Sequence, residues 1–236
     1  MRISVIGVMI CILITQLVCG CNSSTFEVET KLEELGADYH RDEFDEFCWI
    51  RVHENSHAQG ILEFATVSGL HFDAIYLTDL PLSCSTLEVL NSVEGKIEVD
   101  LDGGTLPNCD SLITSVWKLR LHSVSFDLVA LAKFPNLEVV VLDARTLSVE
   151  LVSELNRLVR LRQLTLVGRL RTEDIEVLQG LSNVESVNFV SSGLDAQNEN
   201  LLHLRSRFAI GMDGKWRRAI KVNGGELSNG SGLNGT

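Results

Sequence analysis

A six-position pattern, apolar-x-x-apolar-x-apolar, runs through most of the chain. It occurs as Phe47/Ile50/Val52, Phe72/Ile75/Leu77, Val116/Leu119/Leu121, Leu137/Val140/Leu142, Leu161/Leu164/Leu166 and Val184/Val187/Phe189. Two weaker copies, Lys96/Val99/Leu101 and Arg207/Ile210/Met212, start on a charged residue. The last apolar residues of successive copies lie 25, 24, 20, 21, 24, 23 and 23 residues apart, a near-even period that marks a repeat architecture. The alternation that closes each copy predicts a short strand with one buried face. Helical spacings fill the intervals. Leu128, Leu131 and Phe134, and likewise Ile175, Leu178 and Leu181, step by three, while Leu151, Leu155 and Leu158 step by four and three. Thr172-Glu173-Asp174 predicts a helix start, a hydroxyl cap followed by acids that suit the positive helix end. Each unit is therefore a strand, a turn and a short helix, which bury their apolar faces only by stacking on neighbours. A doubly wound sheet would need longer connections and a Gly-rich phosphate turn after its first strand, and the sequence has neither.

L-x-x-L-x-L units at this spacing resemble leucine-rich repeats of a short, irregular kind found in exported bacterial lipoproteins, without their usual Asn ladder residue. The resemblance covers roughly residues 47–213. Residues 26–42 are similar to the segment that precedes such repeats: an amphipathic helix (Val28, Leu32, Leu35) ending at Gly36, then an extended stretch. The fold class this implies is α/β: a leucine-rich-repeat solenoid with a curved parallel sheet on the concave side, short helices on the convex side and an N-terminal α/β cap. The expected division is a signal peptide at 1–20, a linker and cap at 21–46, repeats at 47–214 and a basic segment with a disordered tail at 215–236.

Strand side chains alternate, so the third and fifth positions of each copy point away from the Leu core. They are Trp49/Arg51, Ala74/Tyr76, Glu98/Asp100, Lys118/Arg120, Val139/Val141, Gln163/Thr165, Ser186/Asn188 and Ala209/Gly211. In leucine-rich repeats these line the concave binding face. The resemblance thus nominates Trp49, Arg51, Tyr76, Glu98, Asp100, Lys118, Arg120, Val141, Gln163, Thr165 and Asn188 as contacts for a protein partner. Eight strands at about 4.8 Å spacing would make a face on the order of 35 Å long. Glu98/Asp100 beside Lys118/Arg120, with Asp102 beside His122, reads either as a charged recognition patch or as a self-neutralising ladder; the row-by-row match of signs favours the ladder. Trp49 has a competing structural role, packing against the preceding segment.

Composition sharpens this picture. The 36 Leu against 6% aromatics make Leu the core builder. A net charge of −12 opposes general nucleic-acid binding, which needs Lys/Arg to displace phosphate counterions. Arg2 precedes an apolar run over 3–18, too short for a comfortable membrane span and suited to a signal peptide. Val18-Cys19-Gly20-Cys21 resembles a lipobox, with Cys at an unusual position, and implies lipid on Cys21 and a membrane-anchored location outside the cytoplasm. Cys48, Cys84 and Cys109 then remain, an odd number. Cys84 and Cys109 follow neighbouring strands by seven and eight residues, near enough for a disulfide or for a buried reduced pair. Residues 22–47 hold nine acids against two bases, and 205–221 six bases against one acid, so the ends carry opposite charge.

One catalytic motif occurs. His53-Glu54-Asn55-Ser56-His57 matches H-E-x-x-H, which binds zinc only when both His lie one turn apart on a helix. The strand alternation of Ile50 and Val52 puts His53 at a strand end instead. The G-x-S-x-G, Walker A and C-x-x-C motifs are missing from the sequence. The expectation is therefore a monomeric, anchored protein-binding module without catalytic residues, cofactor or metal. A structural or assembly protein of the cell envelope is the alternative, with a zinc metallohydrolase behind it.

Overall fold

In the computed structural model, which describes residues 25–41, 47–52, 55–68, 70, 72–78, 82–93, 95–194, 199–212 and 215–217, every copy of the apolar pattern contributes a strand. In chain order the elements are α1 (Thr25–Glu34), β1 (Ala37–Arg41), β2 (Phe47–Val52), α2 (Asn55–Val67), β3 (Ala74–Thr78), α3 (Cys84–Val89), β4 (Ile97–Asp102) and β5 (Thr105–Leu106). There follow β6 (Val116–His122), β7 (Ser125–Phe126), β8 (Val139–Asp143), α4 (Val149–Leu155), β9 (Gln163–Val167), α5 (Thr172–Leu178), β10 (Ser186–Val190), α6 (Glu199–Arg205), β11 (Ala209–Met212) and β12 (Lys215–Arg217). The chain is mixed α/β. Ten strands form one sheet in the order β1-β2-β3-β4-β6-β8-β9-β10-β11-β12, and β5 and β7 form a separate small pair. From β2 to β11 each pairing is parallel; β1 and β12 pair antiparallel at the two ends.

The core lies on one side of the sheet. Ile50, Ile75, Val99, Leu119, Val140, Leu164 and Val187, one from each of β2, β3, β4, β6, β8, β9 and β10, are fully buried. They share a single cluster with Leu32 of α1, Ile61 of α2, Leu151 and Leu155 of α4, Ile175 of α5 and Leu204 of α6. A buried Leu or Ile is worth about 1.5–3 kcal/mol over an exposed one, so this row of residues is what keeps the strands in register. Charged first positions in the weak copies find other partners. Lys96 Nζ lies 2.7 Å from Glu138 Oε1, and the Arg207 guanidinium donates to the carbonyls of Gln179 and Leu181.

Three local details differ from the pattern-based expectation. The segment Leu128–Lys133 is a 3-10 helix, which its strict steps of three already fit at three residues per turn. The cap of α5 is Arg171, not Thr172; the Asp174 carboxylate reaches back 2.7 Å to accept the Arg171 backbone N–H. Asparagines also tie neighbouring connections, at two recurring places: Asn91 and Asn156 stand five residues before the first position of their copies, and Asn136 and Asn183 one residue before theirs. Asn91 donates to Leu112 O and accepts from Thr114 N, and Asn136 donates to Thr114 O. Asn156 donates to Gly180 O and accepts from Ser182 N, while Asn183 donates to Asn156 O. Helix α1 stops at Gly36, whose φ of 76° suits a residue without Cβ and turns the chain into β1.

Candidate binding face

The side of the sheet away from the helices carries the outward positions of every strand, and the pairing register sets them in two rows. One row runs His40, Trp49, Ala74, Glu98, Lys118, Val139, Gln163, Ser186 and Ala209. The other runs Asp38, Arg51, Tyr76, Asp100, Arg120, Val141, Thr165, Asn188 and Gly211. All eleven nominated contact residues therefore share one face, but their environments divide it into three parts.

At the β1 end stands an aromatic and cationic group. The Trp49 and Tyr76 rings meet edge to face at 5.8 Å between centroids, and His40 stacks on Trp49 at 5.7 Å. The Arg51 guanidinium carbon sits 5.4 Å from the centre of each of the Trp49 and Tyr76 rings. Trp49 thus does pack on the preceding segment, through His40, and still presents an edge to Tyr76. His40 was not nominated. Its signal lies in the antiparallel β1–β2 pairing, which the repeat pattern does not encode.

In the middle, the charged residues pair across β4 and β6. Glu98 takes two cations: Oε2 lies 2.7 Å from Lys118 Nζ, and Oε1 lies 2.7 Å from Arg120 Nε. The second approach is not aligned as a hydrogen bond, although both atoms are buried. Asp100 is left with longer contacts of 4.0 Å to Arg120 and to His122. Burial pushes the Asp100 carboxyl above the usual carboxylate range, and His122 and Arg120 offset this only in part. Asp102 is exposed and pairs with His122 in the register.

The third part, from β8 to β10, is uncharged. Val141 and Thr165, expected as contacts, are each only 7% exposed, so neither offers a partner much surface. Both are short β-branched side chains set between neighbours in the row, with the longer Arg120 beyond Val141 and Asn188 beyond Thr165. Gln163 and Asn188 keep partial exposure, and Asn188 Oδ1 is buried without a hydrogen bond among the described residues.

Of the remaining candidates, Cys84 and Cys109 form a disulfide with their Cα atoms 5.4 Å apart, joining the connection after β3 to the one after β4. In the H-E-x-x-H segment β2 ends at Val52 and α2 begins at Asn55, so the motif straddles a strand end and a helix start. His53 and Glu54 themselves lie outside the described residues, as do Cys21, the signal segment and the C-terminal tail. Among the described residues no group of three or more His, Cys, Asp or Glu is placed to hold a metal, and no helix is long and apolar enough to cross a membrane. No protein-family model, curated protein or solved structure matches the chain.

Proposed function

We propose that the chain is an exported leucine-rich-repeat solenoid, anchored to a membrane by lipid on Cys21, that binds a protein partner on the open face of its sheet and carries out no catalysis. One observation supports this above others. Every α-helix of the described residues packs into the core on one side of the sheet, so the opposite face keeps a line of half-exposed aromatic, charged and amide side chains with no helix over them. Large, rigid aromatic and Arg side chains of the kind gathered at Trp49, Arg51 and Tyr76 dominate the energetics of protein interfaces. The function is presentation: a stiff sheet spreads contact groups over an area, and the anchor keeps that area near the membrane.

A second reading, an assembly protein of the cell envelope, draws on the two ends of the sheet. The acid-rich residues 22–47 include β1, and the base-rich residues 205–221 include β11 and β12, so the two edge strands belong to stretches of opposite charge in the sequence. Capture from detergent-extracted native membranes on the immobilised full chain separates the two. A partner held by wild type and lost by Trp49→Ala/Tyr76→Ala supports the face. A partner that survives that change but is lost by Arg217→Ala/Arg218→Ala supports the sheet ends. Cys21→Ser should release the protein from the membrane fraction, and retention there would remove the lipid anchor from the proposal.

A further inference from the structure

Three cations, Arg51, Lys118 and Arg120, stand on the described part of the open face, and they are held in two different ways. Lys118 and Arg120 are each within 2.7 Å of a Glu98 oxygen. Arg51 forms no ion pair among the described residues. Its contacts are instead the two aromatic rings. None of its nitrogens is among the buried unpartnered atoms of the described residues, and the side chain keeps partial exposure. A guanidinium stacked on rings keeps its in-plane donors free, and the stacking fixes the direction in which those donors point.

We infer that Arg51 is the anchor for a carboxylate side chain, Glu or Asp, of an acidic peptide segment in the protein partner. This inference rests on the open-face reading above. A carboxylate matches a single guanidinium fork with two parallel N–H···O bonds. The rings of Trp49 and Tyr76 contact the methylene groups behind that carboxylate and the side chain next to it. A phosphate would call for more: the next cations along the row, Lys118 and Arg120, are already paired to acids, and the acids Glu98 and Asp100 would repel a dianion. The fit is therefore to one carboxylate with an apolar neighbour, not to a multiply charged group.

A library of random peptides displayed on phage, selected on the immobilised full-length protein, tests this directly. The expected result is enrichment of peptides with Glu or Asp beside an aromatic or aliphatic residue. That enrichment disappears on Arg51→Gln, and Glu→Gln in a selected peptide weakens binding about tenfold or more. Arg51→Lys keeps the charge and loses the fork, so it should fall between the two. Unchanged melting of the Arg51 variants confirms that they are folded. Acidic peptides enriched equally on wild type and Arg51→Gln would overturn Arg51 as the anchor. Apolar peptides without an acid, lost on Trp49→Ala, would overturn the carboxylate while keeping the open face as the working surface. Failure of any peptide to enrich would overturn the inference, as would inorganic phosphate, in place of peptide, shifting the Arg51 Nε resonance.

Discussion

Arg51 and Arg120 sit on the same face of the same sheet, with two strands between them, and the protein treats them oppositely. Arg120 shares Glu98 with Lys118 in a knot of charge where Glu98 keeps only 13% of its side-chain exposure. Arg51 lies against two aromatic rings, forms no ion pair among the described residues and keeps partial exposure. The knot serves the sheet, since acids and bases in adjacent strands cancel the repulsion that either set would suffer alone. The stacked arginine does nothing comparable for the sheet, because cation–π contacts at a partly exposed site contribute only about 0.5–1 kcal/mol. The comparison distinguishes charge that is used up inside the fold from charge that remains available to a ligand. Counting charges along the sequence does not make that distinction.

The strongest way to disturb both clusters is to cut the covalent link at their boundary, because the Cys84–Cys109 bond joins the connections that follow the Tyr76 and Glu98 strands. Closing a loop of this length, with a sequence separation of 25, lowers unfolded-chain entropy by about 3–4 kcal/mol. Cys84→Ser/Cys109→Ser should therefore lose about that much in urea unfolding, and a loss below about 1 kcal/mol would mean packing alone holds the junction. Next comes Glu98→Ala, which strands two half-buried cations and should cost about 2 kcal/mol. Arg51→Met should cost less than about 1 kcal/mol. If the two single variants prove equally destabilising, the division between a structural and an available cation fails.

The smallest effect is a pH dependence, and it has a definite sign. Burial raises the folded-state pKa of Asp100, so the native protein takes up its proton at a higher pH than the unfolded chain does. The penalty for the buried charge is present at neutral pH and is relieved as pH falls through the raised value. Wild type should thus gain stability relative to Asp100→Asn on acidification from neutral pH into the carboxylate range. Asp174 supplies the opposite case. The Arg171 hydrogen bond holds its carboxyl below the usual range, so its stabilisation is present above the ordinary carboxylate pKa and is lost as pH falls through the depressed one. Thermal melts of Asp100→Asn and Asp174→Asn across that range should diverge from wild type in opposite directions.

The face was legible in the sequence because strand alternation and a repeated register are both set by the buried Leu, Ile and Val row. Glu98 opposite Lys118, and Asp100 opposite Arg120, follow from that register alone. Depth was not legible. The same alternation that turned Val141 and Thr165 outward says nothing of the neighbours that enclose them. Nor does sequence distinguish a bonded from a reduced Cys84–Cys109 pair, since both need the same proximity. Arg120 reaching diagonally to Glu98, instead of straight across to Asp100, depends on side-chain length and rotamer. His40 escaped notice because β1 runs antiparallel and lies outside the repeated pattern. The asparagine ties escaped it because Asn91 and Asn156, five residues before their copies begin, and Asn136 and Asn183, one residue before, lie outside the six-position pattern.

Those ties have a mechanical consequence. In a sheet whose order follows the chain, each strand touches only its neighbours, so a pull applied at one end has no route around a weak junction. Between the connections that follow α4 and α5, Asn156 alone takes part in three crossing hydrogen bonds, to Gly180, Ser182 and Asn183. It acts as a rivet between two plates. If the proposed lipid holds one end while a partner tugs at the face, that rivet adds to the β9–β10 ladder and the shared core in keeping the stretch beyond it attached.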